Sequence, residues 1–202
     1  VFFFFFQTFT FIRYNEQKPR QKETGNMVEK GLKTAHNQAS ASHIQQMGLV
    51  LDHLVDALGG DPSCTLRRAT ILVDIDQHPG TTQAEVIDRL KLHKSALNRD
   101  IEWLTDHGCL NRQQGQQDGR VIHMLTCGYS KKNLDLTLDY FDSSHKKLQD
   151  FLEGLITIFK DQKPSFRDAK LLATAADLGA PSKHELFARS YDGPTTTNAR
   201  AL

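Results

Sequence analysis

Lys94, Ser95, Asn98, Arg99 and Glu102 lie along one predicted helix and have side chains suited to a nucleic-acid duplex. An asparagine amide offers a donor and an acceptor that match the edge of adenine, and an arginine fork matches guanine. Serine and lysine suit phosphate oxygens or either purpose. The spacing decides which way these groups point. Leu97, Ile101 and Leu104 recur at i, i+4 and i+7, so if they face a core the polar set faces outward. The same residue types occur on any solvated helix face, and the helix alone leaves both readings open. Arg112 and Arg120 near the ends of a following hairpin tip the balance toward DNA. The Gly- and Gln-rich turn from Gly115 to Gly119 adds Gln116, Gln117 and Asp118 to the candidate contact set.

Other chemistries find less support. The chain has no glycine-rich phosphate loop after a strand, no H-E-x-x-H, and no nucleophile with its base, so no catalytic residue and no cofactor are expected. A hairpin would bring His123 and Cys127 back toward His107 and Cys109, whose atoms suit zinc, but H-x-C with H-x3-C is not an established finger spacing. Packing is the expectation: Cys109 fills a small apolar position at the start of a strand. Cys64 lies near a helix start that can stabilise a thiolate, which raises a redox reading beside the inert one. With Cys109 and Cys127 it makes an odd set without framework spacing, pointing to a reducing, cytoplasmic setting.

The elements that would position the polar face can be traced outward from it. Thr81 and Thr82 cap a helix with Ala84, Ile87 and Leu90 inward, and Lys91 to His93 make a short turn into the polar helix. Gly108 stops that helix, and two short strands flank the Gly115 to Gly119 turn. Helix, turn, helix and hairpin make the outline of a winged helix-turn-helix, whose second helix enters the major groove.

The segment from Leu66 to about Thr126 resembles the multiple-antibiotic-resistance regulator (MarR) family of bacterial transcription factors. The matching stretches are R-A-T-I-L-V-D-I-D-Q-H-P-G-T-T-Q-A-E-V, K-S-A-L-N-R-D-I-E-W-L-T-D-H-G-C-L-N-R, the wing signature D-G-R at Asp118 to Arg120, and the closing Leu125-Thr126. The resemblance implies that Ser95, Ala96, Asn98 and Arg99 read bases, that Arg120 enters the minor groove, and that Asp118 holds the wing in shape. Two departures stand out: the run from Arg120 to Leu125 is one residue short, and the usual L-T-x-x-G is here L-T-C-G.

The flanks are expected to serve this centre. With 202 residues and a net charge of +1, the chain suits one domain with tails, and attraction to DNA must come from a local patch. Lys91, Lys94, Arg99, Arg112 and Arg120 form it, offset in part by Asp100, Glu102, Asp106 and Asp118. Residues 1–26 are expected to be a disordered extension outside the native fold, because the phenylalanine-rich start is too short to span a bilayer and makes a poor signal peptide. Residues 27–62 hold an arm helix, with Ile44, Met47, Leu51, Leu54, Val55 and Leu58 on one face. Residues 63–127 form the winged domain, opening with a helix capped by Ser63 or Thr65. Residues 128–162 form a long dimerisation helix or helix pair capped by Ser130. Leu134, Phe141, Leu148 and Leu155 would alternate with Leu138, His145, Leu152 and Phe159 in a heptad seam, and Ser143-Ser144 could break it. Residues 163–202 read as a helical extension, with Phe166, Ala169, Leu172, Ala173 and Ala176 on one side and a disordered end.

The expected fold is therefore mainly α with a small β-hairpin, a winged helix-turn-helix core between N- and C-terminal dimerisation helices. The expected function is that of a cytoplasmic, homodimeric DNA-binding regulator, a repressor on an inverted-repeat operator, with Thr82 and Gln83 also in the contact set and a possible small-molecule effector. Use of the same module in plasmid or phage replication, partition or recombination is one alternative, and use for protein contacts is another. No membrane partner is expected.

Overall fold

Apolar periodicity and glycine stops divide the chain much as expected. The structure, a computed structural model, describes residues 45–115, 120–160 and 163–178, with Ser182 and Glu185. Among the described residues there are seven helices and one hairpin. Helix α1 covers residues 45–57, followed by α2 (Leu66–Gln77), α3 (Gln83–Leu90) and α4 (Lys94–Asp106). Strands β1 (Leu110–Gln114) and β2 (Ile122–Thr126) come next, then α5 (Gly128–Asp139), α6 (His145–Ile158) and α7 (Phe166–Leu178). Of these residues, Val50–Lys170 form one compact unit, and those before and after group in another.

Within the larger unit, α2 is the central rod. Its row Leu66, Ala69, Leu72, Val73 and Ile75 is buried as expected, and Thr70, Ile71, Asp74 and Asp76 are buried too. A helix buried around most of its surface needs partners on several sides, and α2 meets α6, β2, α3 and α4. In α1, Met47, Leu51, Leu54 and Leu58 are buried, while Val55 is only half-buried. Gly59 and Gly60, at φ of 80° and 81°, end that element.

Neither predicted hydroxyl caps α2. Thr65 holds the cap position without a side-chain bond, and Ser63 Oγ bonds Asp61 instead. The first helical amide is satisfied by a distant stretch: Leu66 N–H donates to the Pro164 carbonyl at 2.9 Å. The Phe166 and Arg167 amides donate back to Cys64 O at 3.0 Å and Pro62 O at 2.9 Å, and Thr65 and Ser165 form an antiparallel bridge.

The segment after the wing corrects the expected cap and forms the helix pair and not the single long helix. Helix α5 begins at Gly128 with Cys127 as its cap residue, so Ser130 lies inside the helix and is buried. The heptad row does not run through one helix. Asp142 and Ser143 adopt φ of 52° and 56°, a left-handed step that few non-glycine residues take, and the chain turns before Ser144 caps α6. The expected break is therefore present. Leu134, Leu138, Phe141, Leu148, Leu152 and Leu155 are buried within the chain, and Phe141 meets Phe151 with ring centroids 5.5 Å apart. They do not form a continuous exposed seam. Phe159 caps the C-terminus of α6 and is half-buried.

Helix α7 starts as a capping box, with Ser165 Oγ accepting from the Asp168 amide at 3.2 Å and Asp168 Oδ2 accepting from the Ser165 amide at 2.7 Å. Its buried residues are Phe166, Ala169, Leu171 and Ala173; Leu172 is half-buried and Ala176 exposed, so the face is turned from the expected one. Ser182 and Glu185 repeat the box. The extensions at residues 1–26 and 192–202, and Ile44, lie outside the described residues.

Candidate nucleic-acid interface

Helix α4 presents the polar face that its spacing implies. Leu97, Ile101 and Leu104 are fully buried, whereas Lys94, Ser95, Asn98, Arg99 and Glu102 are exposed and Ala96 is half-buried. Arg99 Nε donates to the Ser95 carbonyl at 3.2 Å, laying the guanidinium along the helix surface. Lys91, in the left-handed conformation at φ 52°, closes α3 and turns the chain into α4. Gly108 ends α4 at φ 68°, where a side chain would strain the backbone.

The helix ahead of α4 is fixed at its start. Thr82 Oγ1 accepts from the Glu85 amide at 3.4 Å, and Glu85 Oε2 accepts from the Thr82 amide at 2.7 Å. That backbone bond, with the Thr82 and Thr81 hydroxyls, holds the Glu85 carboxyl below its ordinary range. The inward residue of α3 differs from the expectation. Val86 is fully buried, Ile87 and Leu90 are half-buried, and Ala84 is exposed. Eight residues give only two turns, so one buried side chain suffices to seat the helix and the expected face is offset. Thr82 and Gln83 are half-buried at its N-terminus.

Three buried carboxylates, none of them singled out by the pattern, set the placement of these helices. Asp100 lies on α4 but points inward and is 3% exposed. Its oxygens accept from Arg67 Nε at 2.7 Å and Arg68 Nε at 3.3 Å, and the Arg68 guanidinium stands 4.1 Å from the centroid of Trp103. Asp100 therefore does not offset the outward basic patch as charge counting suggests. Asp74 takes a two-pronged bond from Arg89 at 2.9 and 2.7 Å, and Arg89 Nη2 reaches Thr81 Oγ1 at 2.9 Å, joining α2 to α3. Asp76 meets Lys131 Nζ and His145 Nε2, each at 2.9 Å, joining α2 to α5 and α6. The one signal available was the placement of two acids in the apolar run I-L-V-D-I-D.

The hairpin pairs Leu110 with Thr126 through Gln114 with Ile122 in unbroken antiparallel register, despite the short spacing before Leu125. Arg112 stands opposite Met124 in the middle of β1, not at the hairpin end, and its side chain is exposed; Arg120 is exposed beside the turn. Gln116, Gln117 and Asp118 lie outside the described residues. Met124 is buried and forms a bridge with Thr81, while His123 Nδ1 lies 2.6 Å from the Gly80 carbonyl. These bonds seat the wing against the residues that open α3.

The proposed metal ligands have other partners. The His107 ring stacks on Trp103 with centroids 3.7 Å apart and its Nδ1 lies 2.8 Å from Trp103 O. Among the described residues, no group of three or more His, Cys, Asp or Glu side chains is placed to hold a metal ion. Cys109 is buried at the start of β1, as expected. Cys64 is fully buried, and burial pushes its thiol up to about 12, which fits the inert reading of this residue. Among the described residues, no helix is long and apolar enough to cross a membrane.

No curated protein matches the chain. Among solved structures, the chain is similar to MarR at 21% identity, covering 68% of this chain and 87% of that one with a TM-score of 0.35. It is similar to Streptococcus pneumoniae FabT in complex with DNA at 17% identity, covering 66% and 93% with a TM-score of 0.39. A mutant MarR from E. coli complexed with operator DNA matches at 14% identity, covering 69% and 100% with a TM-score of 0.37. Residues 64–122, from the buried cysteine before α2 to the first residue of β2, match the model of the MarR family. That match spans 59 of the 202 residues and takes in α2, α3, α4 and β1.

Proposed function

We propose that this chain binds double-stranded DNA in a sequence-specific manner and acts as a homodimeric transcriptional repressor on an inverted-repeat operator. The carrying observation is the division of α4, with Leu97, Ile101 and Leu104 fully buried and Lys94, Ser95, Asn98 and Arg99 exposed opposite them. Withdrawal of Asp100 to its arginine partners leaves that face more basic than a count along the helix implies. Asn98 and Arg99 would read base edges, Lys94 and Ser95 phosphates, and Arg112 and Arg120 the backbone or groove beside the hairpin. Two copies would span two half-sites about one helical turn apart. The contacts between copies would come from residues still exposed, such as Tyr129 and Leu136, seven apart on α5 and 64% and 41% exposed, because the heptad row is covered within the chain. An effector that changes the distance between the two copies would release the operator.

Selection of bound sequences from random duplex DNA by the purified chain tests the reading. An enriched inverted repeat, protected as two half-sites, is the expected result. Recovery of unselected sequence with salt-sensitive affinity alone would reduce the activity to nonspecific binding and overturn the assignment.

A further inference from the structure

The hairpin register extends one pair beyond the assigned strands. Leu110 faces Thr126, so the next residues outward, Cys109 and Cys127, face each other. The Cys127 amide donates to the Cys109 carbonyl at 2.9 Å, which continues the ladder to this pair. We propose that Cys109 and Cys127 are a dithiol site that a small-molecule disulfide closes into a reversible cross-strand disulfide at the open end of the wing.

The geometry supports closure. Facing residues that exchange ladder bonds lie with Cα atoms about 5.5 Å apart, within the usual span of a disulfide. At such a pair the Cβ atoms stand near the wide end of about 4.5–5.5 Å, against about 3.5–4.5 Å in a disulfide, so the two residues must tilt inward by roughly 1–2 Å. This pair has freedom to do so, because only one of its two ladder bonds is made: the Cys109 amide donates instead to the Leu104 carbonyl at 2.8 Å. Burial is the main cause raising the Cys109 thiol, a hydrogen bond with Ser130 lowers it, and the nearby Cys127 raises it. Cys109 is buried while Cys127 is half-buried, which assigns the order of events.

The Cys127 thiolate attacks one sulfur of the incoming disulfide, whose S–S bond breaks and releases one small thiol with the electron pair. Cys109 gives its proton to solvent and attacks Cys127 Sγ, releasing the second small thiol. Two protein thiols are oxidised and one disulfide is reduced to two thiols. Burial also raises the Cys127 thiol, so the first step is slow at neutral pH and quickens roughly tenfold per unit as pH rises. The bond would tie the end of α4, two residues beyond His107, to the cap of α5, and so fix the root of the wing. It does not depend on DNA binding.

The test equilibrates the purified full chain with mixtures of reduced and oxidised glutathione, traps free thiols by alkylation and maps the peptides by mass. The expected product is an intramolecular Cys109–Cys127 link, formed with a midpoint independent of protein concentration, with Cys64 alkylated only after unfolding. Hydrogen exchange should slow by severalfold in β1 and β2 of the oxidised form and not in α1. Cys127→Ala, at the half-buried position, should abolish the link and leave Cys109 unmodified in the folded chain. A stable glutathione adduct on Cys127 that Cys109 never displaces, a link between two chains, or a bond involving Cys64 would each overturn the proposal.

Discussion

Replacing Asp100 with asparagine sets charge counting against the observed geometry. Counting treats Asp100 as an anion on the DNA-reading helix, so its removal should tighten binding to phosphates. The structure instead buries the carboxylate against α2, where it accepts from Arg67 at 2.7 Å and Arg68 at 3.3 Å. Hydrogen bonds to buried charged groups contribute about 1.5–3 kcal/mol each. The arginine side chains retain 33% and 21% exposure, so water recovers part of the loss, and the weaker contact at 3.3 Å adds little. Asparagine keeps one neutral acceptor. The expected net destabilisation is about 2 kcal/mol, a fall of roughly 4–8 °C in Tm for a chain of this size. Affinity for a selected operator should fall, because α4 loses its tether to α2. Thermal unfolding followed by circular dichroism gives the first quantity, and anisotropy titration at fixed salt gives the second. An unchanged Tm together with tighter DNA binding by Asp100→Asn would refute the tether.

Other expectations follow from the same geometry. Arg99→Ala should cost about 1–3 kcal/mol on the selected operator and relax preference at one base pair, whereas Lys94→Ala should weaken all duplexes alike and flatten the salt dependence; equal losses by both variants on every sequence would remove base reading from Arg99. Leu148→Asp should unfold the chain, not merely separate two copies, because the side chain is fully buried within it and a buried unpaired carboxylate costs several kcal/mol; a folded monomer in light scattering and circular dichroism would contradict this. The Glu85 carboxyl titrates below its ordinary 4.5 in the folded state, so the capping box stabilises α3 above that value and the benefit is lost as pH falls through the lower folded one. Glu85→Gln keeps an acceptor and should flatten this acid dependence, read as amide exchange or chemical shifts at Val86 and Ile87 as pH falls below 4.5.

The outward face of α4 was legible in the sequence because thirteen residues give several turns of a clear 3.6-residue period. The short α3 did not offer that redundancy, and Val86 in place of Ala84 shows how little periodicity two turns contain. The heptad row was ambiguous for a different reason. Its seven-residue spacing survives across Asp142 and Ser143, where the backbone turns left-handed, so the same leucines serve two helices packed inside one chain. The cap expected at Ser130 failed because the helix begins three residues earlier, which leaves the hydroxyl buried inside it. Asp74, Asp76 and Asp100 find partners 15 to 69 residues away, which no local pattern records.

The bridge between Thr65 and Ser165 bears on where the winged segment can be cut. Residues about 100 positions apart sit on adjacent rungs, and closing so long a loop costs only a logarithm of its length. The stretch between them therefore leaves and rejoins the chain at nearly one point. A segment cut with both rungs included, from Pro62 to Arg167, keeps this seam but loses the buried Leu51, Leu54 and Leu58, so it should be less stable than the span from Val50 to Lys170. A cut at Lys163 would leave the Leu66 amide without its Pro164 acceptor, and fraying would begin at the first turn of α2.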